Sequence, residues 1–258
     1  NSFLSAGDLT DPSVTWIPTE LCFDNFSTAF ETLDFFKSFG MSMLMSLIPA
    51  VLQTAVTAVI AYGLARFHIP FKKVILVLIL ITFLLPTQVM LVPRYVLFDT
   101  YHLTDTIWAQ FLPALFGQGL NSAIFIFVYY SYFVSYPVVL DEAAEIDGAG
   151  KWKIFLKVSL PMAKGAIILS MLFSFVFYWN ETYLSNTLWG GKIQTLPLKL
   201  QSFTLQYEAL YGKEAAGSIS ESVSLAGTLL SILPLLVMYL IFQRQFVESI
   251  ESTGITGE

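Results

Sequence analysis

From Val74 to Pro93 the chain reads VILVLILITFLLPTQVMLVP, twenty residues without a charge. A helix needs about 20 apolar residues to cross the hydrocarbon core of a bilayer, and lipid offers unpaired backbone groups no water to bond. Runs of this kind lie at roughly 39–65, 74–97, 121–136, 164–185 and 222–243. They predict an all-α polytopic membrane protein with five visible transmembrane helices. Composition agrees: 12% of residues are charged, about half the fraction usual in a soluble domain.

Pro49, Pro86 and Pro234 fall inside three of the runs and predict kinks, which packed membrane helices tolerate. The stretch TIWAQFLPALFGQGL before the third run carries Pro113, Gly117 and Gly119 and reads as a bent entry rather than a straight helix. Residues 1–37 are acidic and interrupted by Pro12 and Pro18, so they are expected as a solvent-exposed loop. Cys22 is the single cysteine, and His68 and His102 stand far apart. That excludes an intrachain disulfide and a thiolate metal cage; no metal site and no catalytic residue is expected.

Lysine and arginine are unevenly shared between the two sides that five crossings define. Arg66, Lys72, Lys73, Lys151, Lys153, Lys157, Lys164 and Arg244 fall on one, and Lys37, Arg94, Lys192, Lys199 and Lys213 on the other. The first set is concentrated in two short connections, which makes that side cytoplasmic. Residues 1–37 then lie outside.

Into this apolar chain is set DEAAEIDGAGKWKIFLKVSLP, residues 141–161, with four acids and three lysines. Pro137 and the Asp141–Glu142 pair suit a helix start, where acidic groups meet the positive end of the helix dipole. Asp147–Gly148 supplies a turn. A second helix, KWKIFLKVS, places Trp152, Phe155, Leu156 and Ser159 on one face, and Pro161 is expected to halt it. The reading is a compact helix–turn–helix knob on the cytoplasmic side. An interfacial helix pair resting on lipid headgroups is the plainer alternative.

The spelling goes further. Glu142–Ala143–Ala144, then Gly148 after three residues, Val158 after nine more, and Leu160–Pro161 resemble the EAA loop of ATP-binding-cassette importer permeases, with valine where their motif has isoleucine. FDNFSTAF at 23–30, YGLARFHIPFKK at 62–73, YWNETYL at 178–184, TLPLKL at 195–200 and FQRQFVESI with the terminal TGITGE extend the resemblance along the chain. It is most similar to the carbohydrate-uptake branch. Gly40–Met41–Ser42 departs from the Asn-Ser-Leu that usually opens the second span, and the family's first helix would precede NSFLSAGDL.

The resemblance implies a type I (MetI-like) importer permease fold. It implies a 1–37 segment outside, a transmembrane domain over 38–245 with a coupling loop at 137–163, and a cytoplasmic tail at 246–258. It implies, further, a bacterial plasma-membrane location and four kinds of neighbour: a second homologous permease, two ATPase subunits, an extracellular solute-binding protein and lipid. ATP and magnesium are expected on the ATPase subunits alone. The chain itself has no G-x-x-x-x-G-K-[ST] with which to cradle phosphates. Coupling to the ATPase is expected at Glu142, Ala143, Ala144, Asp147, Gly148, Leu160 and Pro161. Polar or aromatic groups deep in spans mark a candidate substrate path: Gln88, Tyr178, Trp179, Asn180 and Glu181, with Gln53 as a further deep polar group. Interfacial aromatics and interhelical hydrogen bonds are the plainer roles for these. The rival functions are a permease for a glycerol phosphate or polyol and a stand-alone secondary transporter. The second would need buried acids for ion coupling, and Glu181 is the one candidate.

Overall fold

The computed structural model describes residues 1–11, 13–14, 17–213 and 221–252, which contain helices and turns and no strand. Two short helices, α1 (Ala6–Thr10) and α2 (Asp24–Thr32), open the chain. Ser5 and Asp8 start α1 with a reciprocal capping box, two backbone donors satisfied at once. The segment expected as an exposed loop is therefore partly helical. Its α2 packs on the C-terminal helix, and Ala29 within it and Leu33 just after it are completely buried. Phe26, Ala29, Phe30 and Leu33 recur at one-face helical spacing, a signal that the acidic composition obscures. Pro12 lies outside the described residues.

α3 (Phe35–Arg66) is the axis of the molecule, 32 residues long and so about 48 Å at 1.5 Å per residue. Ser38, Ser42, Ser46, Ala50, Ala58 and Ala61 are buried along it. Small side chains let neighbouring backbones approach closely where lipid supplies no hydrophobic drive. Pro49 sits inside this helix without breaking it. The proline removes the N–H that would bond the Met45 carbonyl, and Gln110 Nε2 donates to that carbonyl instead, at 2.9 Å.

Pro86 behaves differently. α4 (Lys72–Leu84) ends before it and α5 (Thr87–Thr100) begins after it, bent by 99°. Leu85 takes the extended conformation that a following proline favours. The single span expected over 74–97 is thus a broken one. Pro86 is exposed and Pro49 fully buried: a packed neighbour that can bond the freed carbonyl decides between a tolerated proline and a break.

α6 (Trp108–Leu115) lies against α3 as a short separate helix. α7 (Ser122–Ser135) packs on α3 and turns by 73° into α8 (Val139–Ile146). α9 (Lys151–Met162) contains a π-helical turn over Phe155–Ser159 and turns by 79° into α10 (Lys164–Asn180). Pro161 does not halt α9; the break comes two residues later, at Ala163. After α10 follow α11 (Tyr183–Trp189), α12 (Leu196–Gln201), α13 (Phe203–Tyr211) and α14 (Glu221–Ser252). Pro234 leaves α14 unbroken.

Among the described residues, α3 and α14 are each long and apolar enough to cross a membrane, and up to five spans result if each bent pair counts as one. α3 contacts α6, α7, α10 and α12, while α14 packs on α10 and α2. α4 buries no residue, and Val77, Leu78, Leu233, Leu236 and Leu240 of α4 and α14 are all exposed. Apolar surface of that extent is stable only against lipid or another apolar partner.

Candidate functional site

Chemistry-bearing side chains gather at two levels of α3, its Arg66 end and its middle around Gln53. At the Arg66 end, α8 and α9 form a helix–turn–helix knob. Ala149 N–H donates to the Ala144 carbonyl and Gly148 N–H to the Glu145 carbonyl, both at 2.9 Å, which is the Schellman arrangement. Gly148 supports it with φ +77°, a conformation costing other L-residues roughly 1–2 kcal/mol. A Cβ there would meet nothing within 4 Å. Glu142, Ala143, Asp147, Gly148 and Pro161 are exposed, Ala144 half-buried, and Leu160 turns into the cluster around Tyr62, Phe133 and Phe155. Trp152 and Leu156, expected on the same face as Phe155 and Ser159, point away from the bundle with 67% and 56% exposure. Only Phe155 and Ser159 of that set are buried.

The knob hangs from a buried polar node. Arg66 Nε lies 3.1 Å from Asp141 Oδ2, with both side chains at most one-tenth exposed. The Nε–H is not aimed at the carboxylate, so this contact is ionic rather than a hydrogen bond. Arg66 Nη2 donates to the Tyr136 carbonyl at 2.9 Å, and the guanidinium lies 4.0 Å from the Tyr136 ring centre. The Tyr136 hydroxyl bonds Asp141 Oδ1 and stands 2.8 Å from Ser159 Oγ. The sequence reading counted Arg66 in a charge tally and used Asp141 as a helix-start acid, and so missed the node. The usable signal was a lone arginine closing an apolar run, with an acid beside the one charged interruption.

Near the middle of α3, Gln53, fully buried, donates from Nε2 to the Leu120 carbonyl at 2.7 Å and accepts from the Tyr178 hydroxyl at 2.6 Å. That hydroxyl in turn accepts from Leu120 N–H at 3.2 Å. Any Cβ on Gly119 would collide with Gln53 Oε1 and the Tyr178 hydroxyl. Beside this ring opens a groove of about 1130 Å³ between α4, α5, the α6–α7 turn and α10, lined by Arg94, Gln118, Asn121, Asn180 and Glu181 among apolar neighbours. Arg94 Nη2 donates to the Gln118 carbonyl at 3.1 Å. Glu181 accepts from Leu184 N–H at 2.6 Å and so starts α11, while Asn180 donates to the Val176 carbonyl of its own helix.

Of the five candidate path residues, Asn180 and Glu181 line this groove, and Tyr178 and Glu181 line a small void next to it. Trp179 lies in the core edge-on to Phe39, and exposed Gln88 lines neither space. Arg94 and Gln118 escaped the sequence reading because each is polar but isolated in the chain. Only the fold brings them to Glu181.

A lipid-facing helical bundle with a projecting helix–turn–helix and a polar-lined groove defines a polytopic membrane permease. Residues 55–250 match the model of the family described as binding-protein-dependent transport system inner membrane component, and the chain belongs to that family. It is 28% identical to the arabinooligosaccharides transport system permease protein AraQ of Bacillus subtilis (strain 168), over 93% of this chain and 81% of that one. It is 29% identical to the trehalose transport system permease protein SugB of Mycobacterium tuberculosis (strain CDC 1551 / Oshkosh), over 93% and 84%. A solved chain, from a bacterial ABC transporter that imports the acidic polysaccharide alginate, superposes with TM-score 0.78 at 24% identity, over 95% of this chain and 87% of that one. That likeness concerns the fold. It agrees with the all-α type I permease architecture expected from the sequence.

Proposed function

We propose that this chain is a permease subunit of an ATP-driven, binding-protein-dependent importer of a sugar or oligosaccharide. It forms the translocation path with a second, homologous permease and receives its drive from two ATPase subunits through the 137–163 loop. An extracellular solute-binding protein delivers the solute. ATP and magnesium act on the ATPase subunits, and no catalytic residue lies on this chain. The loop and the tail after residue 245 face the cytoplasm of a bacterial cell and residues 1–37 face outward, as the distribution of lysine and arginine favours. The TGITGE end of that tail lies outside the described residues. The relatives named for arabinooligosaccharides and trehalose support a carbohydrate. So does a groove whose amide, guanidinium and carboxylate groups suit hydroxyls.

The observation that carries the coupling role is the knob itself. Glu142 and Ala143 on α8, and Asp147 and Gly148 at the Schellman turn that ends it, are all exposed on this projection. A conformational drive must act through a contact that differs between two states, and a rigid exposed projection is such a contact.

The test uses Gly148→Trp and Gly148→Asn in the full transporter. The space around Gly148 is open in this chain, so neither variant clashes with a neighbour, and Gly148→Asn, which best tolerates positive φ, controls for the backbone strain that a side chain adds at φ +77°. With Gly148→Trp, affinity-purified permease is expected to lose its ATPase and uptake to fall to background while the protein remains inserted; Gly148→Asn keeps most of both. Normal uptake in Gly148→Trp refutes the docking role.

A further inference from the structure

The polar node lies beneath the knob, on its buried side. Neighbours in a helix point about 100° apart; Glu142 faces outward while Asp141, beside it, is buried at 7% exposure. Four elements meet at the node: the last turn of α3 through Arg66, the end of α7 through Tyr136, the first turn of α8 through Asp141, and the π turn of α9 through Ser159. Tyr62, Phe133 and Phe155 pack around it, with Tyr62 4.9 Å from Phe155 and 5.5 Å from Phe133. π turns inside helices recur at functional positions.

A buried ion pair is weak evidence of stability, because desolvating both charges costs as much as their attraction returns. Its value lies in fixing one arrangement. α8 and α9 are joined to the bundle by bends of 73° and 79°; bends that sharp can act as hinges. A knob free to swivel at both would absorb a push instead of passing it on. From these observations we infer that Arg66 and Asp141 form a positioning latch, locking the knob to α3 so that the two move as one body. The Tyr136 hydroxyl holds the carboxylate in place and is itself held by the Ser159 hydroxyl. The latch transmits the ATPase's motion to the axial helix rather than binding the ATPase. This role rests on the coupling reading above.

The latch separates cleanly from docking in the double variant Arg66→Met/Asp141→Leu. Removing both charges leaves neither buried and unpaired, so the fold survives where a single replacement endangers it. In the reconstituted full transporter the double variant is expected to retain its ATPase subunits in wild-type amount. Stimulation of ATP hydrolysis by the loaded binding protein falls roughly 10-fold, within the usual range of coupling between two sites, and uptake falls with it. Wild-type stimulation in the double variant overturns the latch, and so does loss of the ATPase, which makes the pair a docking or folding element.

A second measurement needs no ATPase. Nitroxides at Val59→Cys on α3 and Ile146→Cys on α8, both exposed, in a Cys22→Ser background, report the distance from knob to axis. The latch predicts one narrow distribution that broadens in the double variant; an unchanged distribution overturns it. A distribution that is narrow in wild type and broad in the double variant, found together with a wild-type complex that retains no ATPase, sustains the mechanical latch while refuting the coupling reading.

Discussion

Two levels of α3 solve the same problem with different chemistry. At its middle Gln53, Tyr178 and the Leu120 backbone close a neutral hydrogen-bonded ring. At its end Arg66 and Asp141 bury opposite charges with Tyr136 and Ser159 around them. The ring joins α3, α10 and the α6–α7 turn, parts packed directly against each other. The ionic node joins α3 to a projection whose outer face is exposed. Neutral groups suffice where packing already fixes the geometry, and charge appears where a projecting part has to be held from one side. Neutral bonds can be lost singly at modest cost, whereas a lone buried charge cannot be tolerated.

Replacing one charge at the knob end is the most severe way to test the contrast. Arg66→Met leaves Asp141 buried without its cation and is expected to cost about 3–5 kcal/mol, seen as a large fall in thermal unfolding temperature of the detergent-purified chain. At the ring, Tyr178→Phe strips Gln53 Oε1 of its donor and Leu120 N–H of its acceptor. A loss of about 1–3 kcal/mol follows, read by the same melt. If the ring variant melts lower than the ionic one, the contrast between the two sites is reversed.

The two sites also differ in how far the sequence discloses them. The knob is legible because its information is local: Gly148, Leu160 and Pro161 stand at fixed distances from Glu142, and the stretch is charged within an apolar chain. The ring depends on Gln53, Gly119 and Tyr178, separated by 66 and 59 positions, and nothing near any of them encodes the meeting. The prolines show the same limit. Pro49 and Pro86 read alike in the chain, and what separates them is a glutamine 61 residues from Pro49. Arg66 was visible as a charge but not as a partner, because its acid is 75 residues on.

A second ion pair shows whether burial, and not charge alone, makes the knob end distinctive. Lys192 Nζ lies 3.0 Å from Asp105 Oδ2, as close as the Arg66–Asp141 contact, yet the lysine is 70% exposed. In water the attraction is screened, and ordering a long side chain offsets much of it. Asp105 also has work of its own. Its backbone N–H donates to the Leu188 carbonyl at 2.7 Å, its φ is +61°, and its carboxylate fills the space beside Gly190. Lys192→Ala leaves all of that in place. The expected loss is about 0–1 kcal/mol, indistinguishable from wild type in the melt and insensitive to added salt, with uptake unchanged. A drop comparable to that of Arg66→Met would mean that ionic contact by itself, exposed or not, holds this fold, and the distinction between the ring and the ionic node would lose its physical basis.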